Sequence, residues 1–270
     1  MILEKIQLAP TEATLTALCY PKKLDRMKVT PRRAIIVCPG GGYGMVSARE
    51  ADPIAAQFLA AGFATFILDY SINEKATNYQ PLKEVALAVK YVREHAEEYN
   101  VDPAYVFTCG FSAGGHLAAS AGVLWNSPVL SEVLGDAPSG ISRPTGMILA
   151  YPVITAGEWA HRGSIANLCG TKEYTKEQGD RFSLELHVDE TTCPAFIWHT
   201  FSDDLVPVQN SLLMADAMTK AKVPFELHIF PEGVHGLSLC NELVGTPAPH
   251  NACWIDLAIR WAQELAVAQE

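Results

Sequence analysis

Cys109-Gly110-Phe111-Ser112-Ala113-Gly114-Gly115-His116 contains Gly-x-Ser-x-Gly, and its flanks decide how it reads. Upstream lies a β-rich apolar run, Tyr105-Val106-Phe107-Thr108-Cys109. Downstream lies a run of small residues suited to a helix, Leu117-Ala118-Ala119-Ser120-Ala121. Strand, sharp turn and helix are the setting of a nucleophile elbow. There a serine takes a strained backbone conformation, and the flanking glycines let strand and helix approach closely. Its hydroxyl is raised at a helix N-terminus, where backbone N–H groups and the helix dipole favour negative charge.

Apolar strand-like runs recur on both sides of the elbow. Ile2 to Leu8 and Ala13 to Tyr20 alternate around Pro10 and predict a leading antiparallel hairpin. Ala34-Ile35-Ile36-Val37-Cys38, Phe63 to Leu68, Gly146 to Tyr151, Ala195 to His199 and Pro224 to Phe230 read as further strands. Amphipathic helical stretches separate them. One is capped by Ser47 with Glu50 as a capping box and turns Ile54, Phe58 and Leu59 inward before stopping at Gly62. Another opens at Pro81, and Asn100 to Pro103 reads as the turn before the elbow strand. A third spans Val208 to Lys222 with Leu212, Leu213 and Met218 inward, and the last runs from about Asn251 to Ala266. Strands alternating with helices predict an α/β fold, with a mostly parallel central sheet covered by helices on both faces. The long interruption between Tyr151 and Ala195 has little apolar periodicity. It reads as a small cap-like insertion, about 152–194, in a single domain spanning 1–270.

A chain of 270 residues, 49% hydrophobic and 19% charged, buries a large core without staples. The formal net charge of -10 argues against a nucleic-acid partner, which needs clustered Lys and Arg. The basic stretch Lys22 to Lys28 is mixed with acidic and apolar residues and reads as a solvated loop. Seven cysteines without a C-x-x-C pair fit a reducing compartment, with Cys38 and Cys109 as buried free thiols. The N-terminus reaches Glu4 without signal-peptide architecture, and no stretch is long and apolar enough for a membrane span. A cytoplasmic location and no membrane partner are the expectation.

Serine is a weak nucleophile unless a base stands in reach and an acid orients that base. In a doubly wound sheet both come from loops at the carboxyl edge. His199-Thr200-Phe201-Ser202-Asp203-Asp204 follows a strand and offers two acids. Asp203 is preferred, because it stands four residues before Pro207 and leaves a loop before the next helix. Phe230-Pro231-Glu232-Gly233-Val234-His235-Gly236 follows the last strand and offers the base, His235. Of the other histidines, His228 lies within a strand and His199 at the end of one. His95, His161, His187 and His250 lack a partner acid in a matching loop, and His116 reads as a satisfied structural residue. Pro39-Gly40-Gly41-Gly42-Tyr43 supplies flexible backbone donors, so Gly41, Gly42 and the N–H of Ala113 are candidates for an oxyanion hole. It lacks the Lys-Ser/Thr ending of a phosphate loop and the spacing of a dinucleotide fingerprint. No histidine pair has metal-ligand spacing with carboxylates, so neither metal nor cofactor is expected. Tyr43, with Tyr70, Tyr151 and Trp159, is a candidate for substrate binding.

These four motifs in order resemble the α/β-hydrolase superfamily. Within it they are similar to carboxylesterases related to acetyl xylan esterases, feruloyl/acetyl esterases and the hormone-sensitive-lipase group. The lipase group has histidine before its glycine triplet, whereas Pro39 stands here. The resemblance implies a serine esterase for short acyl esters, with a small-molecule ester of an acylated carbohydrate as substrate. A homo-oligomer is compatible with it. A serine peptidase or amidase of the same fold, and a non-catalytic ligand-binding member, remain open on these residues alone.

Overall fold

In the computed structural model, residues 1–22, 30–245 and 247–266 are described. The basic stretch from Lys22 therefore lies, apart from its first residue, outside the described residues; Lys22 itself pairs with Glu97 on the surface.

Strands β1 (Ile2–Gln7) and β2 (Thr14–Cys19) form the expected antiparallel hairpin. They are followed by β3 (Arg32–Cys38), α1 (Asp52–Ala60), β4 (Ala64–Asp69), α2 (Gln80–Glu94), the single turn α3 (Ala96–Tyr99) and the long strand β5 (Val101–Phe111). Next come α4 (Ala113–Val123), the short α5 (Ser131–Leu134) and β6 (Met147–Ala150). The chain continues through α6 (Arg162–Cys169), α7 (Lys176–Asp180), β7 (Ala195–Thr200), α8 (Gln209–Ala221), β8 (Phe225–Phe230) and α9 (Trp254–Glu264). The eight strands form one sheet in the order β1-β2-β4-β3-β5-β6-β7-β8, parallel from β4 to β8. This is the expected α/β-hydrolase fold.

Successive side chains of β3 alternate between two cores, as the two-residue strand period requires. Ile35 and Val37 face α1 and α9 with Phe58 and Trp254, while Ala34 and Ile36 face the α2 side with Val85 and Val89. A third cluster packs Met214 and Met218 of α8 on Met147, Leu149 and Ile197. Both faces of the central strands are therefore dry, which explains their continuous apolar runs.

Three local expectations are corrected. Ser47 makes no capping hydrogen bond; Glu50 is buried and reaches across to other loops instead. On α8, Leu212 is exposed and Met214 takes the inward position. The segment read as a turn before Tyr105 is already strand from Val101. Asn100 closes the preceding turn in a left-handed conformation, φ 53°.

Candidate active site

The elbow lies at the carboxyl end of β5, which is flanked in the sheet by β3 and β6. Ser112 has φ 55° and ψ -119°, a sparsely populated conformation for a residue with a side chain. It is held by hydrogen bonds from its N–H to Ala150 O (3.0 Å) and from the Val153 N–H to its own carbonyl (3.0 Å). The flanking glycines are required by packing. A Cβ on Gly110 would overlap the Gly114 carbonyl, and one on Gly114 would overlap the carbonyls of Cys38 and Pro39. Ser112 is also the N-cap of α4, so its hydroxyl stands at the positive end of that helix.

His235 Nε2 lies 2.8 Å from Ser112 Oγ, and His235 Nδ1 lies 2.7 Å from Asp203 Oδ2. The carboxylate only accepts, so Nδ1 carries the proton and Nε2 is free to accept the serine hydroxyl. Asp203 is buried, whereas Asp204 is exposed. Asp203 Oδ1 accepts the N–H groups of Leu205 (3.0 Å) and Val206 (2.9 Å). Its Oδ2 also faces Nε2 of the fully buried His199 at 3.3 Å. Burial alone would raise the Asp203 pKa, but hydrogen bonds from His199 and His235 and from the Val206 backbone hold it well below the usual carboxylate range. Ser202 and Thr200 both bind the backbone of Gly233, so the loops after β7 and β8 are tied together beside the acid and the base.

The glycine loop after β3 faces the serine. The N–H groups of Gly41, Gly42 and Ala113 donate to no acceptor among the described residues. Gly41 has φ 129° and Gly42 φ 67°, conformations that favour glycine. The loop is held from three sides. Glu50 Oε2 accepts the Gly40 N–H at 2.9 Å, Asn167 of α6 donates to Gly42 O at 2.9 Å, and Tyr70 donates its hydroxyl to Pro39 O at 2.5 Å. The other Glu50 oxygen accepts the Tyr151 hydroxyl at 2.7 Å. The Tyr151 ring stands edge-on to His235, with centroids 5.1 Å apart.

Ser112, His235, Gly41 and Gly42 open into one cleft of about 580 Å³, whose walls include Met45, Arg49, His161 and Leu205. Tyr43, read from sequence as a substrate contact, is not among them. It is 1% exposed and its hydroxyl is used by His116, because its backbone turns the ring into the core beneath the loop. Tyr70 and Tyr151 are buried likewise, and Trp159 is absent from the cleft lining. His116 is the satisfied structural residue expected, with Nε2 donating to Phe182 O at 2.9 Å. Burial, opposed in part by that hydrogen bond, brings its pKa down to about 4. Glu50, His199 and His161 were not legible as site residues. His199 alone carried a signal, its place four residues before Asp203 at a strand end. Among the described residues no cluster of three or more potential metal ligands is present.

A serine on a strained strand-to-helix turn, followed in chain order by an acid and a histidine on one edge of this sheet, places the protein among the α/β hydrolases. Comparison with known proteins narrows the class. The BD-FAE family model matches residues 23–218, and the chain belongs to that family. The chain is 38% identical over 219 residues to endo-1,4-beta-xylanase B of Butyrivibrio fibrisolvens, covering 78% of this chain and 33% of that protein. It is 34% identical over 209 residues to an acetylxylan esterase of Xylanibacter ruminicola, covering 76% and 41%. It thus spans less than half the length of either relative. Among solved structures, an acetyl ester-xyloside bifunctional hydrolase from Caldicellulosiruptor lactoaceticus superposes with a TM-score of 0.80 at 33% identity. That match covers 96% of this chain and 95% of the other.

Proposed function

We propose that this protein is a serine carboxylic ester hydrolase that removes short acyl groups, acetyl above all, from acylated carbohydrate. The observation that carries this reading is the hydrogen-bonded chain Ser112–His235–Asp203 facing the unpaired N–H groups of Gly41, Gly42 and Ala113. The sugar-ester class is supported by the names of the relatives, an acetylxylan esterase and an acetyl ester-xyloside hydrolase.

In this mechanism His235 Nε2 takes the proton of Ser112 Oγ as Oγ attacks the ester carbonyl carbon. The carbonyl electron pair moves onto oxygen, and the oxyanion is held by the three N–H groups, each worth on the order of 3 kcal/mol in the transition state. Collapse re-forms the carbonyl and breaks the bond to the alcohol oxygen, which receives the proton from His235. Water then attacks the acyl-serine with His235 again as base, releasing the acid and restoring the Ser112 hydroxyl. Asp203 keeps the proton of the neutral imidazole on Nδ1 and stabilises the imidazolium.

We read 152–194 as the cap of a single domain, since Asn167 holds Gly42 and His161 lines the cleft. A reducing, cytoplasmic setting is supported by seven unpaired cysteines. Separately, among the described residues no helix is long and apolar enough to cross a membrane. Ser112→Ala tests the reading. It should reduce p-nitrophenyl acetate hydrolysis at least a thousandfold and abolish labelling by a fluorophosphonate, with the thermal midpoint retained. Turnover persisting in the variant would sink the proposal.

A further inference from the structure

His161 is the one imidazole in the cleft that this chemistry leaves unused. It is the N-cap of α6, where its Nδ1 accepts the Ser164 N–H at 3.3 Å and lies 2.8 Å from Ser164 Oγ. A backbone N–H only donates, so Nδ1 of the neutral ring is bare and the proton sits on Nε2. Nε2 has no acceptor among the described residues, and His161 lines the cleft beside Ser112 and His235. Cε1, between the two ring nitrogens, is 3.8 Å from where a Cβ on Gly42 would stand. Burial, and then the charge of His235, lower the pKa of the half-buried ring below the ordinary histidine value, against the opposite pull of Asp203. The same helix grips Gly42 O through Asn167, so His161 and the glycine loop are placed together.

The carbonyl oxygen already has its donors in the glycine loop and Ala113. The alcohol oxygen departs towards His235, and His161 lines the same cleft as His235. An unoccupied donor there meets whatever the alcohol carries beside the ester bond. We infer that His161 is a substrate-binding residue, its Nε2–H donating to a hydroxyl oxygen on the carbon next to the one bearing the ester. Partly acylated sugars and other vicinal diols present that group. The inference rests on the esterase reading above and extends it to the recognition of the alcohol.

A matched pair of substrates isolates the hydroxyl: ethylene glycol monoacetate and ethyl acetate, followed by pH-stat. The readout is the ratio of their kcat/KM values. His161→Asn keeps the helix cap, since asparagine is a preferred N-cap, but withdraws the donor from the cleft. The ratio should favour the glycol ester in the wild type and fall about tenfold in His161→Asn, the worth of one hydrogen bond to substrate. His161→Gln, with its longer amide, should recover part of it. Thermal melting of each variant reports folding separately, and a loss shared equally by both esters leaves the ratio unchanged. An unchanged ratio in His161→Asn, or a wild type indifferent to the hydroxyl, overturns the assignment. Turnover of neither ester overturns the esterase reading and the assignment with it. A retained hydroxyl preference without activity on acetylated xylo-oligosaccharides supports His161 and counts against the sugar substrate alone.

Discussion

Tyr43 donates its hydroxyl to Nδ1 of His116 at 2.9 Å, joining the glycine loop to the helix behind the nucleophile. Both residues are buried, and the far nitrogen of His116 donates to Phe182 O in the segment between β6 and β7. One imidazole thus ties the glycine loop and the segment between β6 and β7 to the helix that follows Ser112.

Removing the hydroxyl tests that tie. Tyr43→Phe leaves His116 Nδ1 buried without its donor, a loss of roughly 1–3 kcal/mol. Urea denaturation should show the midpoint falling accordingly, with the slope unchanged. A wild-type midpoint would mean that water or a neighbouring hydroxyl replaces Tyr43.

Protonation of His116 sets a pH window for stability. Its folded pKa is about 4, against an ordinary histidine value of 6.5, so the unfolded chain binds the proton more readily. Its contribution is full above the unfolded value and is lost as pH falls from about 6.5 towards 4, amounting to about 3 kcal/mol. Asp203 behaves differently. Its depressed carboxyl contributes above the unfolded carboxylate range and loses that only in stronger acid. Stability measured from pH 7 to pH 4 should therefore fall less steeply in His116→Gln than in the wild type. Parallel curves would contradict the assignment.

Glu50 connects two walls of the site, accepting the Gly40 N–H and the Tyr151 hydroxyl. Glu50→Ala leaves two buried donors unpaired, at roughly 1–3 kcal/mol each. The glycine loop loses its support on one side, so kcat for p-nitrophenyl acetate should fall about tenfold to a hundredfold, with KM within about threefold. A fall in KM-controlled binding alone would place Glu50 outside the positioning of the loop.

The two adjacent acids should separate cleanly. Asp203→Asn preserves shape but removes the acceptor that keeps the His235 proton on Nδ1, and kcat should drop by about a thousandfold to ten-thousandfold. Asp204 points to solvent, and Asp204→Asn should keep kcat/KM within about twofold. Equal losses in both variants would reopen the choice between them.

Much of the site was legible because its parts are local. Gly110 to Gly114 announce a close strand-to-helix approach through residue size alone, and Gly40 to Gly42 announce a loop of free backbone donors. Asp203 and His235 follow apolar runs at intervals that place them on one edge of a parallel sheet. Side-chain roles were less legible where they depend on distant partners. The Ser47-x-x-Glu50 spacing is that of a capping box, yet Glu50 finds Tyr151, 101 residues away, because the sheet brings β3 and β6 to either side of β5. Tyr43 reads as a candidate for the cleft although aromatics at strand ends are more often core, and the loop turns its ring inward. His161 lacks a partner acid in a matching loop, and its place in the cleft follows from where α6 packs on the glycine loop.

The amino-acid order by itself determined the alternation of strands and helices, the elbow, and the chain order of serine, acid and base. Periodicity and glycine placement act over a few residues and need no tertiary partner. Only the folded chain decided which buried groups pair with which. A carboxylate or imidazole takes its protonation state and direction from neighbours that the fold, not the sequence interval, puts within 3 Å or so. Glu50, His199 and His161 therefore entered the site only when the sheet closed around Ser112.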